Sequence, residues 1–256
     1  LLLYEFDAEG RHQFTRNALT DEILLTFHYP NGLLETITDG DGNVTTIDRD
    51  GSGVPLAIVG PYGQTTTLGL DGNGYLSPIT NPAGEATTFT YSADGLMETM
   101  TDARTNMYSF QYDPDGLLRF DGDPAGGSKT LGRVVVPNGY EVELRTKLGR
   151  TTTYEVVDVA TGDQLRTNID PVGLTTTSEI GTDGETVRSL PDGTTITEVE
   201  TGDPRFGMLA PVVASRTIST PLEELTLNVS TTRTADDPFT EQTDSVDING
   251  LSLIHI

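Results

Sequence analysis

Outside the last six residues, the chain's histidines are His12 and His28, and it has no cysteine. Nucleophilic catalysis needs a hydroxyl or thiol held against a base that a third group orients. His28 alternates with Phe27 and Tyr29, the pattern of a packed or solvated strand residue, so neither histidine presents such a base. The acids are numerous, 39 Asp and Glu, but they recur beside glycine at turn spacing. Backbone geometry explains them there, and no pair stands out as the two carboxylates a glycosidase holds across a cleft.

Two acidic clusters invite a calcium reading. Asp39-Gly40-Asp41-Gly42-Asn43 puts oxygen ligands at alternate positions, and Asp50 falls where the twelfth-position ligand of a calcium loop would stand. The glycine such a loop needs at its sixth position is Val44 here, and no flanking helices are expected. Asp48-Arg49-Asp50-Gly51-Ser52-Gly53 is the second cluster. Both coincide with turns, so Asp39, Asp41 and Asn43 carry no metal assignment. No catalytic, cofactor-binding or metal-binding residue is assigned, and no cofactor is expected. The 9 tyrosines and 8 phenylalanines fall mostly at strand positions that should pack, such as Phe89, Phe110 and Tyr112, not at sugar-stacking positions.

The elements that position these residues follow from composition. Apolar residues are 35% of the chain, glycines number 28, and threonine is abundant, which points to many short strands joined by Gly and Asp turns. No apolar run approaches the roughly 18 residues of a spanning helix, so no membrane span is expected. A net charge of −24 repels phosphate backbones, which argues against nucleic acid and fits a solubilised β-surface. The opening Leu1-Leu2-Leu3-Tyr4-Glu5-Phe6 lacks a basic leader and reads as the middle of a strand.

Two columns of residues repeat with a step of 21. One runs Gly32, Gly53, Gly74, Gly95, Gly116; the other runs Gly42, Gly63, Gly84, Thr105, Gly126. Both continue with looser spacing, the first through Gly139, Gly162 and Gly184, the second through Gly149, Gly173 and Gly193. Each unit should hold two strands and two turns. In residues 86–106, Phe89 and Tyr91 share one face and Thr88 and Thr90 the other, with a hairpin turn at Gly95. Ile47, Leu68, Phe89 and Phe110 are equivalent and are expected to form a buried row, since one hairpin cannot stabilise itself. The sequence therefore predicts an all-β chain of tandem antiparallel hairpins, drawn out as an elongated curved strip. The boundaries read as repeats over 1–203, a further hairpin region over 204–250 with strands near 212–220, 225–234 and 241–248, and a non-native tail over 251–256.

Units such as TTFTYSADGLMETMTDARTN (87–106) and YSFQYDPDGLLRFDGDPAGG (108–127) resemble the YD repeat of Rhs proteins, toxin-complex shells and teneurins. Tyr112-Asp113 is the eponymous pair, with Tyr91-Ser92, Leu70-Asp71 and Phe6-Asp7 as degenerate forms. The resemblance implies a segment of a hollow β-shell. It also implies a function: the non-catalytic, encapsulating wall of a secreted bacterial polymorphic toxin, its partners being an intramolecular toxin cargo or neighbouring repeats. The alternative is a cell-surface adhesin or wall-associated repeat that binds carbohydrate or another surface ligand. Either is secreted or at the bacterial surface. Asp170-Pro171-Val172-Gly173-Leu174 matches a string at which Rhs cores cleave themselves, but the flanking signature is missing and the segment sits in the turn column, so it reads as an ordinary turn.

Overall fold

The computed structural model describes residues 2–221, 226–236 and 241–255. Among these there is no helix. The chain forms two compact units, Leu1–Gly127 and Ser128–Ile256.

The first unit holds β1 (Leu2–Phe6), β2 (His12–Asn17), β3 (Ile23–His28), β4 (Thr36–Asp39), β5 (Val44–Arg49), β6 (Pro55–Val59), β7 (Thr65–Leu70), β8 (Leu76–Thr80), β9 (Ala86–Tyr91), β10 (Met97–Thr101), β11 (Met107–Tyr112) and β12 (Leu118–Gly122). Every strand pairs antiparallel with the next. Both glycine columns are hairpin turns, as expected. Gly32, Gly53, Gly74, Gly95 and Gly116 have φ of 77 to 87°, and Gly42, Gly63, Gly84 and Gly126 of 81 to 82°. Glycine takes this left-handed conformation without steric cost. Thr105 holds it too, at φ 67°, although a β-branched residue is disfavoured there.

The 21-residue step divides into 11 and 10. From β5 to β12 six-residue strands alternate with five-residue ones. A bulge beside the first-column turn falls on the shorter strand. Asp48 faces Ala57 while Arg49 faces Pro55, which leaves Leu56 unpaired; Glu98 and Arg119 are set aside in the same way. The second-column turns close without a register shift.

The pairing sorts side chains onto two unlike faces. On one, Ile47 opposes Ile58, Leu68 opposes Ile79, Phe89 opposes Met100, and Phe110 opposes Asp121. On the other, Thr46 opposes Val59, Thr67 opposes Thr80, Thr88 opposes Thr101, and the hydroxyls of Thr90 and Thr99 are 2.7 Å apart. The expected row is therefore present, but it is half-buried. The buried apolar residues among those described are Ala18 and Ala57, and no large side chain is fully enclosed. The reason is that strands pack on their sequence neighbours in one layer, so each row is shielded sideways and not from above.

The second unit holds β13 (Ser128–Val136), β14 (Gly139–Thr146), β15 (Thr151–Asp158), β16 (Gln164–Ile169), β17 (Thr175–Ile180), β18 (Glu185–Ser189), β19 (Thr195–Asp203), β20 (Gly207–Ser219), β21 (Thr226–Ala235), β22 (Gln242–Ile248) and β23 (Leu251–His255), again antiparallel in sequence order. Gly139 departs from its column. It begins β14, and Asn138 takes the left-handed turn position at φ 59°. The strands expected near 212–220, 225–234 and 241–248 correspond to β20, β21 and β22; Leu225, Asp237 and Pro238 lie outside the described residues. Within the expected tail, 251–256, Leu251–His255 form β23, paired with β22, while Ile256 lies outside the described residues.

Candidate functional site

Eight of the chain's aspartates, Asp39 among them, are bound up in the turns. In the Asp39 turn, Oδ1 accepts the backbone N–H of Asp41 at 3.0 Å and of Asn43 at 2.9 Å, while Oδ2 accepts the Asn43 side-chain amide at 2.9 Å. The amide of Gly42 donates to the Asp39 carbonyl at 3.0 Å. This Asx lock, one side-chain oxygen receiving the amides two and four residues on, recurs at Asp7, Asp50, Asp71, Asn81, Asp102, Asp113, Asp123 and Asp170. Where the position is Gly60 or Val159, the backbone bonds alone close the turn. The Asn43 side chain, then the backbone amides, hold the Asp39 carboxyl below its usual pKa; Asn106 does the same for Asp102.

Such carboxylates spend their lone pairs on their own turn. Asp39, Asp41 and Asn43 are brought together as turn members, and among the described residues no group of three acids or histidines is placed to hold a metal ion. Asp170 is locked like the rest, its Oδ1 2.9 Å from the amides of Val172 and Leu174. His12 is packed between rings, 4.1 Å from Phe27 and 5.1 Å from Phe6 by centroids, with Nε2 near the Phe14 carbonyl and the Thr15 hydroxyl. His28 ends β3 in the open. The two histidines are on different strands, and neither meets an acid.

Tyrosine has a repeated task. The Tyr91 hydroxyl donates to the Leu76 carbonyl at 2.7 Å, and the Tyr112 hydroxyl donates to the Met97 carbonyl at 2.9 Å, each reaching 15 residues back. Arg49 occupies the same column, and its Nη2 donates to the Leu34 carbonyl at 3.2 Å, also 15 residues back. Its Nη1 meets the Gly53 carbonyl at 2.9 Å. The sequence column shows this equivalence only once the bond is seen, since arginine and tyrosine share little but length and a terminal donor. A concavity of about 520 Å³ opens beside Arg49, lined by Leu33, Glu35, Ile47 and Asp48 among others. A second contact ties units together at the glycines. A Cβ on Gly53 would lie 2.9 Å from the Leu33 side chain, and one on Gly95 would lie 2.8 Å from the Tyr75 ring.

The second unit contains one cluster that pattern reading missed. Asp203, whose side chain is wholly enclosed, accepts the Arg205 amide at 2.8 Å and its Nε at 3.2 Å, and Nη1 of Arg233 at 3.3 Å. Arg233 in turn grips Asp244 through two bonds of 2.7 Å. Gln242 links Asp244 back to Arg205, closing a ring of five side chains. Burial alone would raise the Asp203 pKa; the hydrogen bonds from Arg205 and Arg233 outweigh it and hold the carboxyl at about 2. The ring pins the 203–207 turn to β21 and β22 (Arg233 is 30 residues from Asp203), a reach beyond the repeat period.

Comparison with known proteins follows the same lines. The family described as Teneurin YD-shell matches residues 3–253. Teneurin-4 of Homo sapiens is 40% identical over 62 residues, covering 24% of this chain and 2% of that protein. Teneurin-1 of Gallus gallus is 42% identical over 62 residues, with the same coverage of 24% and 2%. The match thus spans a small fraction of these relatives' length. Among solved structures, TcdB2-TccC3 is similar over 96% of this chain and 14% of its own, with 11% identity and a TM-score of 0.42. A Photorhabdus luminescens Tc holotoxin pore is similar over 91% and 16%, with 10% identity and a TM-score of 0.35.

Proposed function

The chain belongs to the Teneurin YD-shell family, and on that premise we propose that it is a stretch of wall in the encapsulating shell of a secreted bacterial polymorphic toxin, acting mechanically and without catalysis. The observation that carries this reading is the use of the acids. They close turns in hairpin after hairpin, and the potential catalytic groups are spread over separate strands. A wall needs repeated, self-closed turns and rows that dock on the next hairpin; both are supplied here by the same residue columns. The absence of cysteine and the shortness of the units favour a bacterial protein, released or held at the cell surface. In this reading residues 1–203 and 204–250 are successive parts of one array, and the partners are neighbouring repeats and an enclosed cargo.

The test is limited proteolysis of the full-length protein recovered from the contiguous gene. A shell protects the segment that follows the repeats until denaturant opens the wall. Immediate cleavage of that segment, with a surface anchor beyond it, would replace the toxin reading with the adhesin one. Binding of the intact protein to glycan-coated beads, lost on competition with free sugar, would point the same way.

A further inference from the structure

We propose that Asn31 is a site of spontaneous self-modification, converting to aspartate and isoaspartate in the folded protein ahead of the chain's other Asn-Gly sites. Four asparagines precede glycine: Asn31, Asn73, Asn138 and Asn249. In an Asn-Gly pair the glycine nitrogen, giving its proton to solvent, attacks the asparagine Cγ. A C–N bond forms, ammonia leaves, and water then opens the five-membered imide at either carbonyl. The step needs no outside reagent, but the glycine nitrogen must swing onto the side chain. A turn that fixes the backbone opposes it.

Three of the four are fixed. Asn73 sits inside the Asp71 lock, which takes its amide and that of Tyr75 at 2.9 Å each, and Gly74 donates to the Asp71 carbonyl at 3.1 Å. The Asn138 carbonyl accepts the Asp158 amide at 2.9 Å, and Gly139 is so closely packed that a Cβ there would lie 2.0 Å from the Val156 carbonyl oxygen. The Asn249 side-chain oxygen accepts the Asn228 amide at 2.8 Å, and Gly250 donates to Asp247 at 2.8 Å. Asn31 differs in what holds the backbone around it. The lock position of its turn is Tyr29, which offers no acid, and Gly32 is held only by a 3.2 Å bond to the Tyr29 carbonyl. Like Asn73 and Asn138, Asn31 is exposed and its side chain has no hydrogen bond, and it alone of the four borders the concavity beside Arg49. The next strand does not begin until Thr36, so the segment between can rearrange.

The product has a structural effect. Isoaspartate adds a backbone methylene just before Leu33, whose side chain rests on Gly53, and before Leu34, whose carbonyl holds Arg49. The join between these neighbouring hairpins is the contact that ageing would loosen.

Tryptic mapping tests this on the intact chain incubated in mildly alkaline buffer, because the four sites fall on separate peptides: 17–49, 50–104, 134–145 and 234–256. The expected result is a gain of about one mass unit on 17–49, accumulating severalfold faster than on the other three. Asn31→Gln should abolish it. Asp71→Ala, which removes a lock, should speed conversion on 50–104. In urea all four peptides should convert at similar rates. The proposal fails if 50–104 matches 17–49 in the folded protein, or if the folded ranking persists unchanged in urea.

Discussion

The five-membered ring around Asp203 gives a stability that depends on acid in one direction. In the folded chain its carboxyl ionises at about 2, against 3.8 when free. Nearly two pH units at about 1.4 kcal/mol each correspond to about 2–3 kcal/mol. Because the folded pKa is the lower one, this contribution is complete above pH 4 and is lost as the pH falls from about 4 to about 2. The perturbation is Asp203→Asn, which keeps the shape and one acceptor but removes the charge facing Arg205 and Arg233. Denaturant titrations followed by far-ultraviolet circular dichroism should find the variant at least about 2 kcal/mol less stable at neutral pH. The gap should narrow steadily between pH 4 and 2. A gap of the same size at both ends, or one that widens on acidification, would refute the assignment of the low pKa to this ring.

Three further outcomes follow from the first unit. Phe89→Ala should cost about 2 kcal/mol in the same titration, below the roughly 3–5 of an enclosed phenylalanine, because Phe89 is shielded only by its row. Tyr112→Phe should cost about 1 kcal/mol through loss of the bond to Met97, and Leu70→Tyr should recover a similar amount by reaching the Pro55 carbonyl, both read from denaturation midpoints. Gly84→Ala and Gly95→Ala share a φ of 81°, which costs roughly 1–2 kcal/mol; only Gly95 has the Tyr75 ring at 2.8 Å, so its thermal midpoint should drop further.

The 21-residue columns made the hairpins legible because positive φ selects glycine, and glycine is easily counted. They did not show that the two columns are one kind of turn, since the locking side chain is variously Asp, Asn or Ser and is absent at Gly60. The row of Ile47, Leu68, Phe89 and Phe110 was legible as a row, but its depth was not: pattern tells which face is apolar and not how many layers cover it. Arg49 was hidden by its chemistry, standing in a tyrosine's place. Asp203, Arg205, Arg233 and Asp244 were hidden by distance, because the links that close their ring, Asp203 to Arg233 and Arg205 to Gln242, span 30 and 37 residues and match no repeat period. Gly139 misled because a glycine can be chosen for closeness to a neighbour's backbone as well as for its torsion.

The locked turn also bears on how such a gene changes length. Each lock is closed by residues within five positions of one another, so it travels with its own codons. The links between hairpins, such as Tyr112 to Met97 or Leu96 beside Gly116, join columns that every unit re-creates 21 residues on. Misaligned recombination that drops or doubles 21 codons therefore leaves each remaining turn intact and supplies each severed link with a new counterpart. Heredity can adjust the number of hairpins as a dial.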